Sequence, residues 1–250
     1  MLKLLNGLRS ILFNLVFYIF TVIYLMLIFC ACLLPDDKLL RIGVLGYCLG
    51  CLWIARIFMG ITHEFRGLDK LPTDEAFILA CKHQSYMDPP LSYVARCDVT
   101  ALAKKELFSV PVLGQILKKI GIVRIDRKSR SAHAAMPEVG RKVVEAKKPL
   151  IIYPEGTRVP VGEVRKLKMG AYHLHKDNGL PVYPVASNAG ACWSKGFWHK
   201  PGHVVYEVQD RVAEGLDRKE FMDVIAHDVV ERSDELMIEF GVDPSLLMRN

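Results

Sequence analysis

A histidine and an aspartate lie five positions apart in the stretch KHQSYMDPP, residues 82–90, directly after the apolar run AFILAC. On an α-helix this spacing would point the two side chains apart, since each residue advances by about 100°. His83 and Asp88 can therefore meet only across a turn, and an imidazole held by a carboxylate at one nitrogen offers the other as a general base. Asp88 has an ordinary alternative role as the N-cap of a helix whose first residue is Pro89.

A second polar group follows the apolar run LII in the stretch LIIYPEGTR, residues 150–158. Gly156 lets the backbone approach a ligand closely, the Thr157 hydroxyl can donate a hydrogen bond, and Arg158 carries a planar fork that fits a phosphate. The alternative is an ordinary surface turn with a solvated arginine.

A third stretch, GIVRIDR at residues 121–127, ends an apolar run with two arginines. Strand alternation places Arg124 with Asp126 on one face and Ile125 with Arg127 on the other. A base together with one or two such arginines is suited to a phosphate ester that carries a free hydroxyl. The chain has no GxSxG elbow for a nucleophile of its own, so the hydroxyl of the substrate is the simplest target for the base.

The elements that must position these residues read as an α/β domain over residues 64–250. Short apolar runs predict strands at Ala76–Cys81, Val99–Ala103, Gly121–Ile125, Leu150–Tyr153, Val182–Ala186 and Val204–Val208. Helical spacing predicts helices at Pro89–Arg96, Val112–Ile120, Ser129–Ala146, Lys166–Lys176 and Asp217–Phe240. This alternation favours a mostly parallel or mixed sheet flanked by helices, with the polar loops at the carboxyl ends of its strands.

Residues 1–63 form a separate membrane-associated segment in this interpretation. No charged residue occurs between Ser10 and Pro35, and the run Ile11–Leu34 would make a helix of about 36 Å, enough to cross a bilayer. The second apolar run, Ile42–Ala55, is shorter. Either the two helices form a membrane hairpin or they lie partly immersed in one leaflet, and the short second run favours the latter.

Apolar content, net charge and cysteine spacing indicate which kinds of partner and compartment to expect. Apolar residues make up 51% of the 250, and 33 Lys and Arg against 27 Asp and Glu give a net charge of +6, which suits an anionic membrane surface. The basic residues are spread along the chain without a nucleic-acid motif, so no nucleic acid is expected. The CxxC at Cys48 and Cys51 has no second pair at zinc spacing, so no metal site is expected and a reducing cytoplasm fits the seven cysteines.

With these residues in order, the sequence resembles the membrane-bound glycerolipid acyltransferase family over roughly residues 64–210. His83 and Asp88 match its His-four residues-Asp motif, and GIVRIDR matches a second motif that ends in Ile-Asp-Arg. Glu155–Arg158 matches its Glu-Gly-Thr-Arg motif, and LPVYPVA at residues 180–186 matches its Pro-rich strand. Lys82 and Arg124 depart from the pattern, since the family commonly has Asn and an aromatic residue there.

The resemblance implies direct acyl transfer to the sn-2 hydroxyl of 1-acylglycerol 3-phosphate (lysophosphatidate), with His83 as base and Asp88 orienting it. Arg127 and Arg158 would hold the phosphate, and Gly156, Thr157 and Glu155 would shape or organise its pocket. In AKKEL, which is also typical of the family, Lys104 or Lys105 would approach the phosphate. The products would be phosphatidate and free coenzyme A or acyl carrier protein, with the carrier as co-substrate, no resident cofactor, and the protein on the cytoplasmic face of the cell or inner membrane.

Three alternatives stay open on the sequence. The acceptor can be glycerol 3-phosphate or another lysolipid, or His83 can activate water in a hydrolase. The third is a non-catalytic protein that binds lipid through its basic surface.

Overall fold

The fold, described here from a computed structural model over residues 2–125 and 136–247, is built on one seven-stranded sheet. The strands are β1 Ile61–Arg66, β2 Ile78–Cys81, β3 Thr100–Lys104, β4 Val123–Ile125, β5 Leu150–Ile152, β6 Val182–Ser187 and β7 Gly202–Val208. Six of these were predicted, with ends that differ by up to two residues. The α/β class with a mixed sheet and flanking helices is confirmed.

The order of the sheet is β1-β7-β6-β2-β5-β3-β4. Strands β6, β2, β5, β3 and β4 are all parallel, whereas β7 is antiparallel to β6 and β1 is parallel to β7. The carboxyl ends of the five parallel strands therefore share one edge with the amino ends of β1 and β7. This edge is called the polar edge below, because both motif loops of the sequence begin there.

The edge strand β1 was not predicted. In its sequence ITHEFR, three apolar or aromatic positions alternate with Thr, Glu and Arg, and five of its six residues are only half-buried. Because the strand directly follows an apolar helical run and is short, its period of two could not be separated from the end of that run. The sheet therefore begins at Ile61, three residues before the expected start of the α/β domain.

Helices cover both faces of the sheet. They are α1 Leu2–Phe29, α2 Lys38–Ile54, α3 Asp88–Ala95, α4 Leu113–Lys119, α5 Met136–Ala146, α6 Gly170–Asn178, α7 Ala189–Cys192, α8 Arg218–Ile225 and α9 Arg232–Glu239. One core cluster joins α2 and α3 to one face of the sheet, and a second cluster joins α5, α6 and α8 to the other. Successive side chains of the central strands point to opposite faces of the sheet, so each strand contributes to both clusters.

Three predicted helices differ from those observed. The helix expected over Ser129–Ala146 is described from Met136, and its first part lies outside the described residues. The helix expected from Lys166 begins at Gly170, because residues 163–168 form the end of a loop. The single helix expected over Asp217–Phe240 is two α-helices joined by a π-helical stretch, Ala226–Glu231, and Asp217 caps the first of them.

Helices α1 and α2 pack against each other through glycine. A Cβ atom added at Gly46 would collide with the hydroxyl of Tyr24, and one added at Gly50 would collide with the ring of Phe20. The two glycines, four positions apart, thus leave room on α2 for aromatic side chains of α1. By length and composition alone, Leu4–Leu33 and Lys38–Met59 could each cross a membrane.

The turn between α1 and α2 is bonded to the α/β domain. The ammonium group of Lys119 donates to the carbonyl oxygens of Leu34 at 2.6 Å and Pro35 at 3.0 Å, and Lys148 lies 3.8 Å from the Asp37 carboxylate. Lys119 and Lys148 lie near the amino ends of β4 and β5, opposite the polar edge. The helix pair therefore runs along the domain from one edge of the sheet to the other.

Helix α2 belongs to the core of the α/β domain, which corrects the expectation that the N-terminal segment stands apart from that fold. Leu52, Ile54 and Met59, from the helix and the π-helical turn after it, are at most 4% exposed and pack with strand residues such as Leu79. The apolar run of α2 resembles a second membrane helix, but packing explains its composition. One side of α2 contacts the sheet and the other contacts α1. Among the described elements, helix α1 carries the largest number of exposed apolar side chains.

We expect Leu52→Ala to lower the free energy of unfolding by about 2 to 5 kcal/mol, because it opens a cavity in the core beneath the sheet. Denaturant unfolding in detergent measures the change. The neighbouring variant Trp53→Ala is the matched control, since Trp53 is 62% exposed whereas Leu52 is 2% exposed. Equal and small effects of the two substitutions would show that α2 is a peripheral anchor after all.

Candidate active site

His83 and Asp88 meet at the polar edge, in the loop that follows β2. The Nδ1 atom of His83 lies 2.9 Å from Oδ2 of Asp88, and the Asp88 side chain is nearly inaccessible to water. A carboxylate at that distance selects the tautomer with the proton on Nδ1, so that Nε2 is left with a lone pair. The contact across a turn that the spacing requires is present, and its use in catalysis stays a prediction.

The same carboxylate oxygen also shapes the loop. Oδ2 of Asp88 accepts the backbone N–H groups of Gln84 and Ser85, each at 2.8 Å. Helix α3 begins at Asp88 itself, and no side chain caps it. The alternative role of Asp88 as the N-cap is therefore wrong for this helix: the carboxylate turns back onto the preceding loop, where three N–H groups converge.

A second loop, after β5, covers one face of the imidazole. The Tyr153 ring stacks on His83 with centroids 3.9 Å apart and planes 18° from parallel. The backbone N–H of Val159 donates to the carbonyl of His83 at 2.9 Å. Because β2 and β5 are adjacent parallel strands, the two motif loops leave the sheet side by side and brace each other.

An ion pair lies beneath the imidazole. The ammonium of Lys82 is 2.5 Å from Oε1 of Glu155, and both side chains are 2% exposed. The other oxygen of Glu155 accepts the backbone N–H of His83 at 3.2 Å. Glu155 was predicted among the phosphate-binding residues, and that role stays a prediction. In the structure its carboxylate pairs with Lys82 and supports the backbone of His83.

Arg158 lies beside this pair with one donor unused. Its guanidinium is 3.7 Å above the Tyr86 ring, which holds its plane by a cation–π contact. Among the described residues, the buried Nη1 atom of Arg158 has no hydrogen-bond partner. A buried N–H donor without a partner is costly, so an anion that occupies this position would satisfy it.

Gly156 lets a lysine reach the same loop. Its φ angle is +68°, a conformation that favours glycine, and an added Cβ atom would lie 2.8 Å from Cε of Lys168. The backbone N–H of Lys168 donates to the carbonyl of Pro154 at 2.7 Å, which fixes the start of the lysine side chain. Lys168, which the sequence analysis did not single out, thus adds a cation next to Arg158.

The other predicted phosphate ligands are dispersed along the polar edge. Thr157 is half-buried in the loop of Arg158, while Lys104 is exposed at the end of β3 and Lys105 begins the next turn. One strand, β5, separates β3 from β2, so this lysine pair lies about 10 Å along the sheet from the strand of His83. Arg127 lies outside the described residues. Arg124 is exposed on β4, as expected of the arginine that is not a ligand.

Comparison with known proteins identifies the family of the chain. The family model described as "Acyltransferase" matches residues 62–188. A 1-acyl-sn-glycerol-3-phosphate acyltransferase of Pseudomonas aeruginosa is 34% identical over 178 residues, which cover 70% of this chain and 69% of that protein. The chain belongs to the acyltransferase family. It is an enzyme of that type.

Two further proteins extend the comparison. The 1-acyl-sn-glycerol-3-phosphate acyltransferase of Haemophilus influenzae is 26% identical over 188 residues, 72% of this chain and 78% of that protein. The crystal structure of the 1-acyl-sn-glycerophosphate acyltransferase of Thermotoga maritima has a TM-score of 0.73 and covers 92% of this chain and 97% of that one, at 24% identity. It shows that 92% of this chain shares its fold with that protein.

Four side chains of the site were missed as contributors by the sequence analysis: Lys82, Tyr86, Tyr153 and Lys168. Lys82 carried a signal, since it is a charged residue that directly continues the buried strand β2, just as Glu155 closely follows β5. Opposite charges at the ends of two strands imply a pair only if the strands are neighbours, and the order of the sheet is not written in the sequence. Tyr86, Tyr153 and Lys168 carried no such signal.

We expect Lys82→Met to lower the free energy of unfolding by about 3 to 5 kcal/mol, because it leaves the Glu155 carboxylate buried and unpaired. Adding Glu155→Gln should restore much of that loss. The control is Lys70→Met, which breaks the solvent-exposed pair Lys70–Asp210 and should cost about 1 kcal/mol or less. Thermal and denaturant unfolding measure all three variants, and equal losses for Lys82→Met and Lys70→Met would contradict the role of the buried pair.

Proposed function

We propose that this acyltransferase moves an acyl chain from a thioester to the sn-2 hydroxyl of 1-acylglycerol 3-phosphate and releases phosphatidate. The observation that carries the proposal is the His83–Asp88 pair at the polar edge, in a loop that is bonded to the loop of Arg158 through Val159. The names of the Pseudomonas and Haemophilus relatives support the choice of acceptor. An acyltransferase that uses the hydroxyl of its substrate needs one base and no nucleophile of its own, and this is what the site offers.

The proposed reaction has two proton transfers through one imidazole. Nε2 of His83 takes the proton of the sn-2 hydroxyl as that oxygen attacks the thioester carbonyl carbon. The new C–O bond forms, the C–S bond breaks, and the departing thiolate receives the proton from the imidazolium. Asp88 stabilises the imidazolium through Nδ1, and the Tyr153 ring keeps the imidazole in plane. The balance of bonds and protons needs no metal or redox cofactor.

The phosphate of the acceptor is proposed to bind at Arg158. The unused Nη1 donor of Arg158 and the ammonium of Lys168 supply two positive groups within one loop, and Thr157 adds a hydroxyl. Lys104 at the end of β3 and Lys105 directly after it lie along the same edge, where they can meet a phosphate of the acceptor or of the acyl carrier. Arg127 stays a further candidate ligand from the sequence motif. Coenzyme A and acyl carrier protein present the same phosphopantetheine thioester, and both are kept as donors.

The enzyme is proposed to lie in one leaflet of a membrane rather than to cross it. A hairpin that spans a bilayer would carry the turn between α1 and α2 about 30 Å away from the domain. That turn is instead bonded to Lys119 and Lys148 of the domain. The exposed apolar surface of α1 then rests among acyl chains alongside the domain, where both lipid substrates reside. The seven cysteines fit a reducing compartment, which favours the cytoplasmic face of the membrane.

We expect His83→Ala to reduce kcat by at least about a hundredfold without unfolding the protein, because it removes the base. Asp88→Asn should also be severe, since it weakens the support of the imidazolium. Phosphatidate formed from lysophosphatidate and a labelled acyl thioester is the measurement. The matched control is His227→Ala, which removes a surface histidine beside Asp228 and should leave kcat unchanged. Activity of His83→Ala within tenfold of the unaltered enzyme would exclude the base role, and free fatty acid as the product would indicate a hydrolase.

Arg158→Lys should lower kcat/KM for lysophosphatidate about ten- to more than a hundredfold, because it keeps the charge but loses the planar fork. Arg127→Ala is expected to act in the same direction. Turnover of an uncharged monoacylglycerol, measured in parallel, should fall much less. Arg124→Ala is the control, since that arginine is exposed on β4. Equal losses on both acceptors would mean that Arg158 supports the fold or binds the thioester, and that it does not bind the phosphate.

A further inference from the structure

Two large aromatic rings are held in solvent in the loop between α7 and β7. This segment, SKGFWHK at residues 194–200, is named the aromatic loop. Phe197 is 49% exposed and Trp198 is 63% exposed, and their rings touch edge to face with centroids 4.9 Å apart. The loop lies outside the residues matched by the family model. Adjacent exposed rings of this size are typical of an interaction surface rather than of a surface turn.

The aromatic loop is built onto the beginning of α1. The side-chain amide of Asn14 donates to the carbonyl of Phe197 at 2.9 Å, and the Ser10 hydroxyl accepts the backbone N–H of His199 at 3.0 Å. Ser10 and Asn14 are buried polar residues in a helix that is otherwise apolar from residue 10 onwards. Burial lowers the pKa of His199 to about 4, so the imidazole is neutral at neutral pH. The two rings are therefore fixed relative to α1.

A groove is lined by Trp198 and the first turns of α1. Its volume is about 510 Å³, and its walls are mainly apolar, from Leu4, Gly7, Leu8, Ile11 and Trp198, with Lys200 at one side. The groove opens onto the apolar surface of α1, which continues through exposed residues such as Leu15, Ile19 and Val22. The apolar surface of α1 and that of the aromatic loop are therefore continuous. A single partner would cover both.

The charge around this surface has one sign. Lys195 and Lys200 of the aromatic loop are exposed, and Arg9 lies on the adjoining turn of α1. Neither residues 1–35 nor residues 178–206 contain an aspartate or a glutamate. Exposed tryptophan with flanking lysine is the composition that proteins place at the boundary between acyl chains and head groups. An anionic lipid surface complements both the apolar area and the charge.

We propose that the aromatic loop and the first turns of α1 form one surface that docks on an anionic phospholipid leaflet. Phe197 and Trp198 enter the boundary of the acyl chains, and Lys195 and Lys200 meet lipid phosphates. The proposal rests on the membrane location given under the proposed function, and it adds a second contact besides the helix pair. Because β7 begins at the polar edge and the Ser85 hydroxyl donates to the carbonyl of Trp193 at 2.5 Å, this contact sets the depth of His83 relative to the leaflet.

The direct test is the depth of Trp198 in vesicles of phosphatidylcholine with and without phosphatidylglycerol. The Trp198 signal is the difference between the unaltered enzyme and Trp198→Phe, which leaves Trp53 and the buried Trp193 unchanged. We expect that signal to shift to the blue and to be quenched by lipids brominated near the head group. Bound enzyme whose Trp198 signal is neither shifted nor quenched would overturn the proposal while leaving the membrane location intact. Absence of any vesicle binding would overturn both.

A second measurement separates docking from chemistry. Phe197→Ala combined with Trp198→Ala should weaken vesicle binding about tenfold or more. Turnover of a short-chain lysophosphatidate dissolved as monomers should stay within about twofold. Lys195→Gln with Lys200→Gln should remove the preference for phosphatidylglycerol. The control is Phe240→Ala with Leu246→Ala, which trims exposed apolar residues outside the aromatic loop and should leave binding unchanged. An equal loss in the control, or a dimer in detergent that only the aromatic variant breaks, would overturn the proposal.

Discussion

The buried contact between Lys82 and Glu155 is the interaction from which the rest of the site follows. The two oxygens of this carboxylate have different partners, since Oε1 meets the ammonium of Lys82 and Oε2 accepts the backbone N–H of His83. An anion buried this deeply is tolerated only with a partner, so the loops after β2 and β5 must come together for the fold to form. The second loop then continues to Arg158, whose plane rests on Tyr86 of the first loop. The spacing of adjacent parallel strands thereby sets the distance between the loop of His83 and the loop of Arg158.

The exposed apolar helix α1 is likewise tied to the sheet. Helix α2 covers one face of the sheet and contacts α1 through glycines on its other side, so the exposed apolar surface of α1 is one helix removed from the core. The turn between the helices is attached to one edge of the sheet, and the aromatic loop is attached to the beginning of α1 near the polar edge. Both ends of α1 are therefore tied to the domain. A movement of α1 would carry the edge that bears His83 with it.

Local chemistry allowed much of this molecule to be predicted from its sequence. Six of seven strands follow from short apolar runs between turn residues, because burial on both faces of a sheet leaves a strand no polar positions. The meeting of His83 with Asp88 follows from their spacing and the prolines, since only a turn allows it. The family could be recognised from four motifs in order, because each motif is a few consecutive residues at the end of one strand.

The tertiary structure alone decided what depends on the order of the strands and on which helices pack together. The contact of Lys82 with Glu155, residues 73 positions apart, exists because β2 and β5 are neighbours, and sequence spacing does not carry that information. The bond of Glu155 to the backbone of His83, the stacking of Tyr153 on His83 and the approach of Lys168 to Gly156 have the same origin. Strand β1 and the packing of α2 against the sheet could not be predicted from the sequence, for a different reason. A run of apolar residues is the same whether its neighbour is lipid or a sheet, and only packing tells the two apart.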